Sequence, residues 1–281
     1  MTPGLSVTVV GAGTMGVGIA YVFALQGAEV EIVEPDPGRR DNVAAQVDRV
    51  AQGGVSRGSL TPEAAGLLVQ RITTFNDLGQ TKFAPHLLIE AVPESLGLKQ
   101  EVLRSAEGQN PRLLATNTSS ISIDSIAAGL TDPSGLIGMH FFNPVWVNQL
   151  VEIVVGERTR PEAPKEALDL VAFIQKEGIT VRDRPGFASS RLGVLLGLEA
   201  IRMVEEGVAP PSDIDRAMEV GYRHPMGPLK LTDLVGLDVR LAIAENLSAT
   251  LGPRFEPPEL LRSMVHEGKL GKKTGEGFYQ W

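Results

Sequence analysis

Along this chain the apolar positions follow two regimes. Up to about residue 183, short apolar runs rich in β-branched side chains alternate with stretches in which apolar residues recur at helical spacing. The runs at residues 6–10, 29–33, 86–92, 113–116, 136–139 and 150–155 predict strands, and Thr180-Val181 closes the series. Helices are predicted over 19–25, over 37–50 with an end near Gly53-Gly54, from Thr61 as N-cap with Pro62 behind it, over 98–107, from Ser122, and over 164–176 with Gly178 as the stop. Beyond residue 183 only the helical spacing persists, carried first by Leu192, Leu195, Leu196, Ile201 and Val204. Ser212 with Asp215 predicts a capping-box start, Gly221 a C-cap, and residues 229–251 and 259–266 further helices.

The chemistry gathers where strands end. Gly11-Ala12-Gly13-Thr14-Met15-Gly16 follows the first strand at once and opens a helix, and Glu34 closes the second strand roughly twenty residues on. In that context Gly11 permits a tight turn, Gly13 lets a pyrophosphate approach the backbone, and Gly16 lets helix and strand pack closely. Glu34 would accept hydrogen bonds from adenine-ribose hydroxyls and repel a 2′-phosphate, which favours NAD over NADP; Arg39 and Arg40 read as solvated helix charges. Glu94, Ser119 and His140 also fall at predicted strand ends. The strand–helix alternation therefore predicts an α/β fold: a Rossmann-type doubly wound, largely parallel sheet over residues 1–183, then a smaller all-helical domain over 184–281. In such sheets ligands bind outside the carboxyl ends of the strands.

The stretch Gly138-Met139-His140-Phe141-Phe142-Asn143-Pro144 carries one of only four histidines, and Glu152 stands on what reads as the following strand. Oxidising a secondary alcohol with NAD requires a base for the hydroxyl proton. An imidazole suits that role, since the ordinary histidine pKa of about 6.5 lies near working pH. His140 is the candidate base and Glu152 the group that orients it.

Composition narrows the rest. The chain has 281 residues, no cysteine and a net charge of −8. Disulfides, thiolate metal sites and a cysteine nucleophile are excluded, and no metal is expected. The negative balance argues against nucleic acid or an anionic membrane as partner, so an anionic ligand must be met by local donors. No run of 18 apolar residues occurs, and no basic, apolar leader opens the chain; a cytoplasmic protein is the expectation. The helix over residues 192–204 is apolar around much of its circumference, as one buried on several sides would be, and a homodimer through the helical domain is favoured.

With these motifs in place, the sequence resembles the 3-hydroxyacyl-CoA dehydrogenase family nearly end to end, closest to the short bacterial 3-hydroxybutyryl-CoA dehydrogenases. Pro185-Gly186-Phe187, Gly227-Pro228-Leu229, residues 233–238 and residues 271–279 add to the match. The resemblance implies an NAD-dependent interconversion of (S)-3-hydroxyacyl-CoA and 3-ketoacyl-CoA, with His140 as acid/base, Glu152 paired to it and Ser119 contacting substrate and nicotinamide. It further implies that Asn143 lines the nicotinamide site, that Glu94, Lys99 and Lys273 contact the cofactor, and that Arg57 meets the CoA moiety. One departure stands out: Ser190 occupies the place of the family's substrate-contacting asparagine. A serine hydroxyl is shorter and lacks the two-donor amide. A longer or dicarboxylic 3-hydroxyacyl-CoA, a free hydroxy acid as in gulonate dehydrogenase-like relatives, and an idle crystallin-like role remain open.

Overall fold

The structure is a computed structural model, and it describes residues 4–81 and 84–281; the opening of the chain before residue 4 lies outside them. The chain divides into two compact units, Met1–Asp183 and Arg184–Trp281.

In the first unit eight strands, β1 (Ser6–Val10), β2 (Glu29–Val33), β3 (Ile72–Phe75), β4 (Leu87–Glu90), β5 (Leu113–Thr116), β6 (Leu136–Phe141), β7 (Leu150–Val155) and β8 (Glu177–Arg182), form one sheet in the order β3-β2-β1-β4-β5-β6-β7-β8. All neighbours pair in parallel except β6 and β7. The order reverses between β1 and β4, which makes that boundary the switch point of the sheet. Among the described residues seven α-helices accompany the strands: α1 (Thr14–Leu25), α2 (Pro37–Asp41), α3 (Val43–Ser56), α4 (Pro62–Gln70), α5 (Leu96–Glu107), α6 (Ile123–Ala127) and α7 (Ala163–Phe173).

Alternation along the strands separates the two faces of the sheet. Leu87, Ile89, Ala115, Ile137, Met139, Phe141, Val151 and Ile153 belong to one core with α1, α3, α4 and α7. Leu88, Glu90, Thr116, His140 and Glu152 therefore look to the opposite face, where α5 lies on β4 and β5 and α6 on β6. Gly138 brings α6 close, since a Cβ there would lie 2.7 Å from the Ile123 Cδ1.

The largely parallel sheet and the helical second unit match the expected fold, with local differences. Strand β3 carries no continuous apolar run (Ile-Thr-Thr-Phe), so the pattern does not announce it. Helix α3 continues through Gly53-Gly54, because Gly54 lets the helix pack against Leu60. Helix α7 ends at Phe173, and Gly178 stands inside β8, where a Cβ would come within 2.5 Å of Leu168 on α7.

The second unit contains α8 (Ser189–Glu205), α9 (Pro211–Arg216), α10 (Pro228–Val235), α11 (Leu237–Leu251) and α12 (Glu259–His266) around a core of Val194, Leu198, Ile201, Leu229 and Leu247. The expected 229–251 helix is two, divided at Gly236, whose φ is +101°. Asp215 does not join Ser212 in a capping box. Buried against α10, its carboxylate accepts the N–H groups of Leu229 and Lys230 and the hydroxyl of Tyr279. A buried carboxylate needs several donors, and the open amino end of α10 supplies them. Helix α8 buries Val194, Leu198 and Ile201 but leaves Leu192 69% exposed, so one of its faces is apolar and uncovered within the chain. Among the described residues no helix is long and apolar enough to cross a membrane.

Candidate active site

Strands β1, β2, β4, β5 and β6 run in the same direction, so the segments that follow them collect at one edge of the sheet. Between β1 and α1, Gly11 has a φ of +107°, and a Cβ there would lie 2.8 Å from the Ala91 carbonyl oxygen at the end of β4. A Cβ on Gly16 would sit 1.9 Å from the Gly11 oxygen. Both glycines are required by the fold itself. Gly13 is different: its φ of −73° and ψ of −179° suit any residue, and a Cβ there would meet nothing within 4 Å. It caps the amino end of α1, whose first N–H groups and dipole are directed at the same space. The set fits the diphosphate of NAD, since the open space beside Gly13 leaves room for a phosphate to approach the backbone.

Gly13→Ala is therefore expected to lower the melting temperature by no more than a few degrees, the cost of alanine at an N-cap, while weakening NADH binding at least tenfold, about 1.4 kcal/mol. A fluorescence titration measures this, and unchanged affinity would remove Gly13 from the cradle.

Glu34 follows β2 and is buried. One carboxylate oxygen accepts the Ala12 N–H at 2.9 Å, the other the Asp36 N–H at 3.0 Å. The carboxylate is thus fixed beside the glycine turn, and its further lone pairs can serve ribose hydroxyls. Arg40 turns its guanidinium onto the carbonyls of Glu34 and Pro35, at 2.9 and 3.3 Å.

At the ends of β4 and β5, Glu94 gathers the turn at 118–120. Its Oε1 accepts from the Thr118 hydroxyl at 2.6 Å, from the N–H groups of Ser119 and Ser120 at 3.1 Å each, and from the Ser120 hydroxyl at 3.0 Å. Burial alone would raise the Glu94 pKa; the Thr118 bond, the Lys99 charge and the serines outweigh it and hold the carboxyl below its ordinary range. Ser119 is thereby locked into a defined turn. Lys99 is fully buried on α5, its ammonium engaged by Glu90 and by backbone carbonyls.

The third group stands on β6 and β7. His140 and Glu152 face each other in the antiparallel register, and the imidazole Nδ1 lies 2.7 Å from the Glu152 carboxylate. Glu152 is fully buried and His140 nearly so. A buried carboxylate at Nδ1 draws the N–H of the neutral ring to that side, which leaves the lone pair at Nε2. An imidazole held this way can exchange a proton at Nε2, and the carboxylate stabilises the imidazolium that forms. The strand runs through His140 to Phe141, beyond the end of the apolar run. Phe142 places its ring centroid 4.4 Å from that of His140.

Asn143 follows on the exposed turn after β6. Arg57 lies just past the end of α3, exposed, with its guanidinium against Gly53 and its charge felt by Tyr21. In the second unit, Ser190 stands in the first turn of α8, and Lys273 is ion-paired with Asp238 at the start of α11. The structure thus brings together Glu34 with the glycine turn, Glu94 with Ser119 and Lys99, and His140 with Glu152. Within the first unit, no such contact is made by Asn143 or Arg57 among the described residues. The structure also reveals Glu90 and Thr116, which sequence reading passes over, and a role for Asn117, which sequence reading places only in the turn 117–120 at the end of the fifth strand. The available signal is a carboxylate closing the apolar run Leu87-Leu88-Ile89, with a lysine soon after it.

The chain matches the model of the 3-hydroxyacyl-CoA dehydrogenase NAD binding domain over residues 6–184 and that of the 3-hydroxyacyl-CoA dehydrogenase C-terminal domain over residues 186–281. It is 39% identical to a probable 3-hydroxybutyryl-CoA dehydrogenase of Bacillus subtilis, over 98% of this chain and 96% of that protein. It is 38% identical to a 3-hydroxyadipyl-CoA dehydrogenase of Escherichia coli, over 98% of this chain and 59% of that longer protein. The crystal structure of (S)-3-hydroxybutyryl-CoA dehydrogenase from Ralstonia eutropha superposes with a TM-score of 0.92 at 37% identity, covering 98% of each chain.

Proposed function

The chain belongs to the 3-hydroxyacyl-CoA dehydrogenase family, and from that premise we propose that it interconverts short-chain (S)-3-hydroxyacyl-CoA and 3-ketoacyl-CoA, with His140 as the acid/base and Glu152 as its orienting partner. It is an NAD-dependent oxidoreductase. When bound, the nicotinamide supplies the hydride acceptor in one direction and the donor in the other. The observation that carries the assignment is the buried contact of 2.7 Å between His140 Nδ1 and Glu152.

In the oxidative direction His140 takes the hydroxyl proton at Nε2 while the carboxylate of Glu152 holds the ring and balances its charge. In the reductive direction the imidazolium returns that proton to the carbonyl oxygen. Ser119, fixed by Glu94, donates a hydrogen bond to the same oxygen as its charge changes. Gly11, Gly13, Gly16 and Glu34 hold the dinucleotide, and Glu94 shapes its site by setting the turn at 118–120. Asn143 would line the nicotinamide pocket and Arg57 would meet the acyl-CoA; the family resemblance also assigns Ser190 to the substrate and Lys273 to the cofactor.

A short acyl chain follows the 3-hydroxybutyryl-CoA dehydrogenases that this chain resembles. The likeness to a 3-hydroxyadipyl-CoA dehydrogenase supports a second reading, a dicarboxylic acyl-CoA. Following NADH absorbance with acetoacetyl-CoA, longer 3-ketoacyl-CoAs, 3-oxoadipyl-CoA and free hydroxy acids tests both. The expected result is the highest kcat/KM with acetoacetyl-CoA, and no turnover with any acyl-CoA would overturn the proposal.

The second unit is assigned to self-association. Helices α8 and α10 pack together, and Leu192, Leu195, Leu231, Leu234 and Val235 stay exposed on them. Exposed apolar side chains gathered on two packed helices are what an interface would cover. A dimer in light scattering is the expected state, and Leu192→Glu is expected to shift it to monomer at micromolar concentration. A wild-type monomer would sink the assignment.

A further inference from the structure

Glu90 ends β4 and Lys99 stands in the first turns of α5, both with no solvent exposure. The Glu90 carboxylate accepts from Lys99 Nζ at 2.8 and 3.1 Å, from the Thr116 hydroxyl at 2.6 Å and from the Val92 N–H at 2.6 Å. Lys99 Nζ also donates to the Asn117 carbonyl at 3.1 Å and the Val92 carbonyl at 3.4 Å. Glu94 lies 3.5 Å from the same ammonium. The Asn117 side chain continues the chain of bonds by accepting the N–H of Phe141, next to His140, at 3.0 Å.

One ion pair thus reaches the ends of β4, β5 and, through Asn117, β6. A buried pair is weak support for a fold, because apolar residues of similar volume often replace one without loss of stability. Apolar side chains cannot, however, accept the Val92 N–H or donate to the Asn117 carbonyl. Every group the pair touches lies in or beside the two turns that carry Glu94 and Ser119. We infer that Glu90 and Lys99 are positioning residues: the pair clamps three strand ends, sets the dinucleotide-facing turns through Val92 and Glu94, and holds the His140 strand through Asn117. Lys99, which the family resemblance places against the cofactor, also holds Glu94 and the backbone of both turns.

The inference rests on the proposed dehydrogenase reading but is tested apart from it by NADH affinity, which requires no acyl-CoA turnover. The double substitution Glu90→Leu/Lys99→Met removes the clamp without leaving a bare buried charge. It is expected to fold and to raise the Kd for NADH at least tenfold. Asn117→Ala cuts only the link to β6, at a half-buried site, and is expected to lower kcat at least tenfold with the Kd for NADH within twofold. A pair that serves the fold alone would lower the melting temperature and leave Kd and kcat unchanged. Wild-type Kd in the folded double variant, or wild-type kcat in Asn117→Ala, would overturn the inference. Should the double variant fail to fold, Asn117→Ala decides alone. If the unsubstituted enzyme binds NADH yet reduces no 3-ketoacyl-CoA, the substrate reading falls, and the NADH affinity of the double variant still judges the clamp.

Discussion

Replacing His140 with glutamine is expected to lower kcat for NADH-driven reduction of acetoacetyl-CoA by about 10²–10⁴-fold, the range that positioned proton transfer contributes. The choice of glutamine matters. Glu152 is fully buried and accepts from the imidazole at 2.7 Å, and an amide N–H can continue that donation. Alanine would remove the imidazole from beside a buried carboxylate and would confuse lost chemistry with lost structure. The glycine turn and Glu34 are untouched by the substitution, so NADH should bind as before. Steady-state turnover together with an NADH titration separates the two quantities. Turnover near that of the unsubstituted enzyme would remove His140 from the reaction.

For Glu152→Gln the expected loss in kcat is also large, about 10²–10⁴-fold, by the logic that applies to any carboxylate-oriented histidine. The neutral amide can accept from Nδ1–H, but it can equally donate to Nδ1. The second arrangement puts the ring proton on Nε2 and abolishes the base. Neither arrangement stabilises the imidazolium. Because the two residues act as one unit, the His140→Gln/Glu152→Gln double variant should be scarcely worse than His140→Gln alone. Additive losses in that cycle would show that the two side chains work independently, and the dyad would have to be abandoned.

Much of this site is legible in the order of residues. The glycine turn announces itself because strand, turn and helix are contiguous in sequence, and the steric demands on Gly11 and Gly16 are local. Glu34 is legible for the same reason, as the polar residue that ends a buried strand. The His140–Glu152 pair is one step less direct, since it depends on two neighbouring strands setting a histidine opposite a carboxylate. Their antiparallel register does so.

Other features are hidden by the same physics. Asp215 looks like part of a helix start because Ser212 lies nearby, yet its partners are the Leu229 and Lys230 N–H groups across the unit. Gly53-Gly54 and Gly178 look like stops, but Gly54 and Gly178 are small so that a helix can be approached closely. The resemblance makes Lys99 a cofactor contact, and only packing shows that its ammonium is also enclosed with Glu90.

The order of residues is enough to specify the alternation of strands and helices, the change to an all-helical second unit, the dinucleotide turn and the rare histidine. Those are consequences of local sterics, of hydrophobic period and of side-chain chemistry, which neighbouring residues settle together. The convergence of Glu90, Lys99, Thr116 and Asn117 emerges only in the assembled fold, as does the open space beside Gly13. The cost of a buried charge, and the space left beside a backbone, depend on atoms far apart in sequence, and those are set only when the sheet assembles.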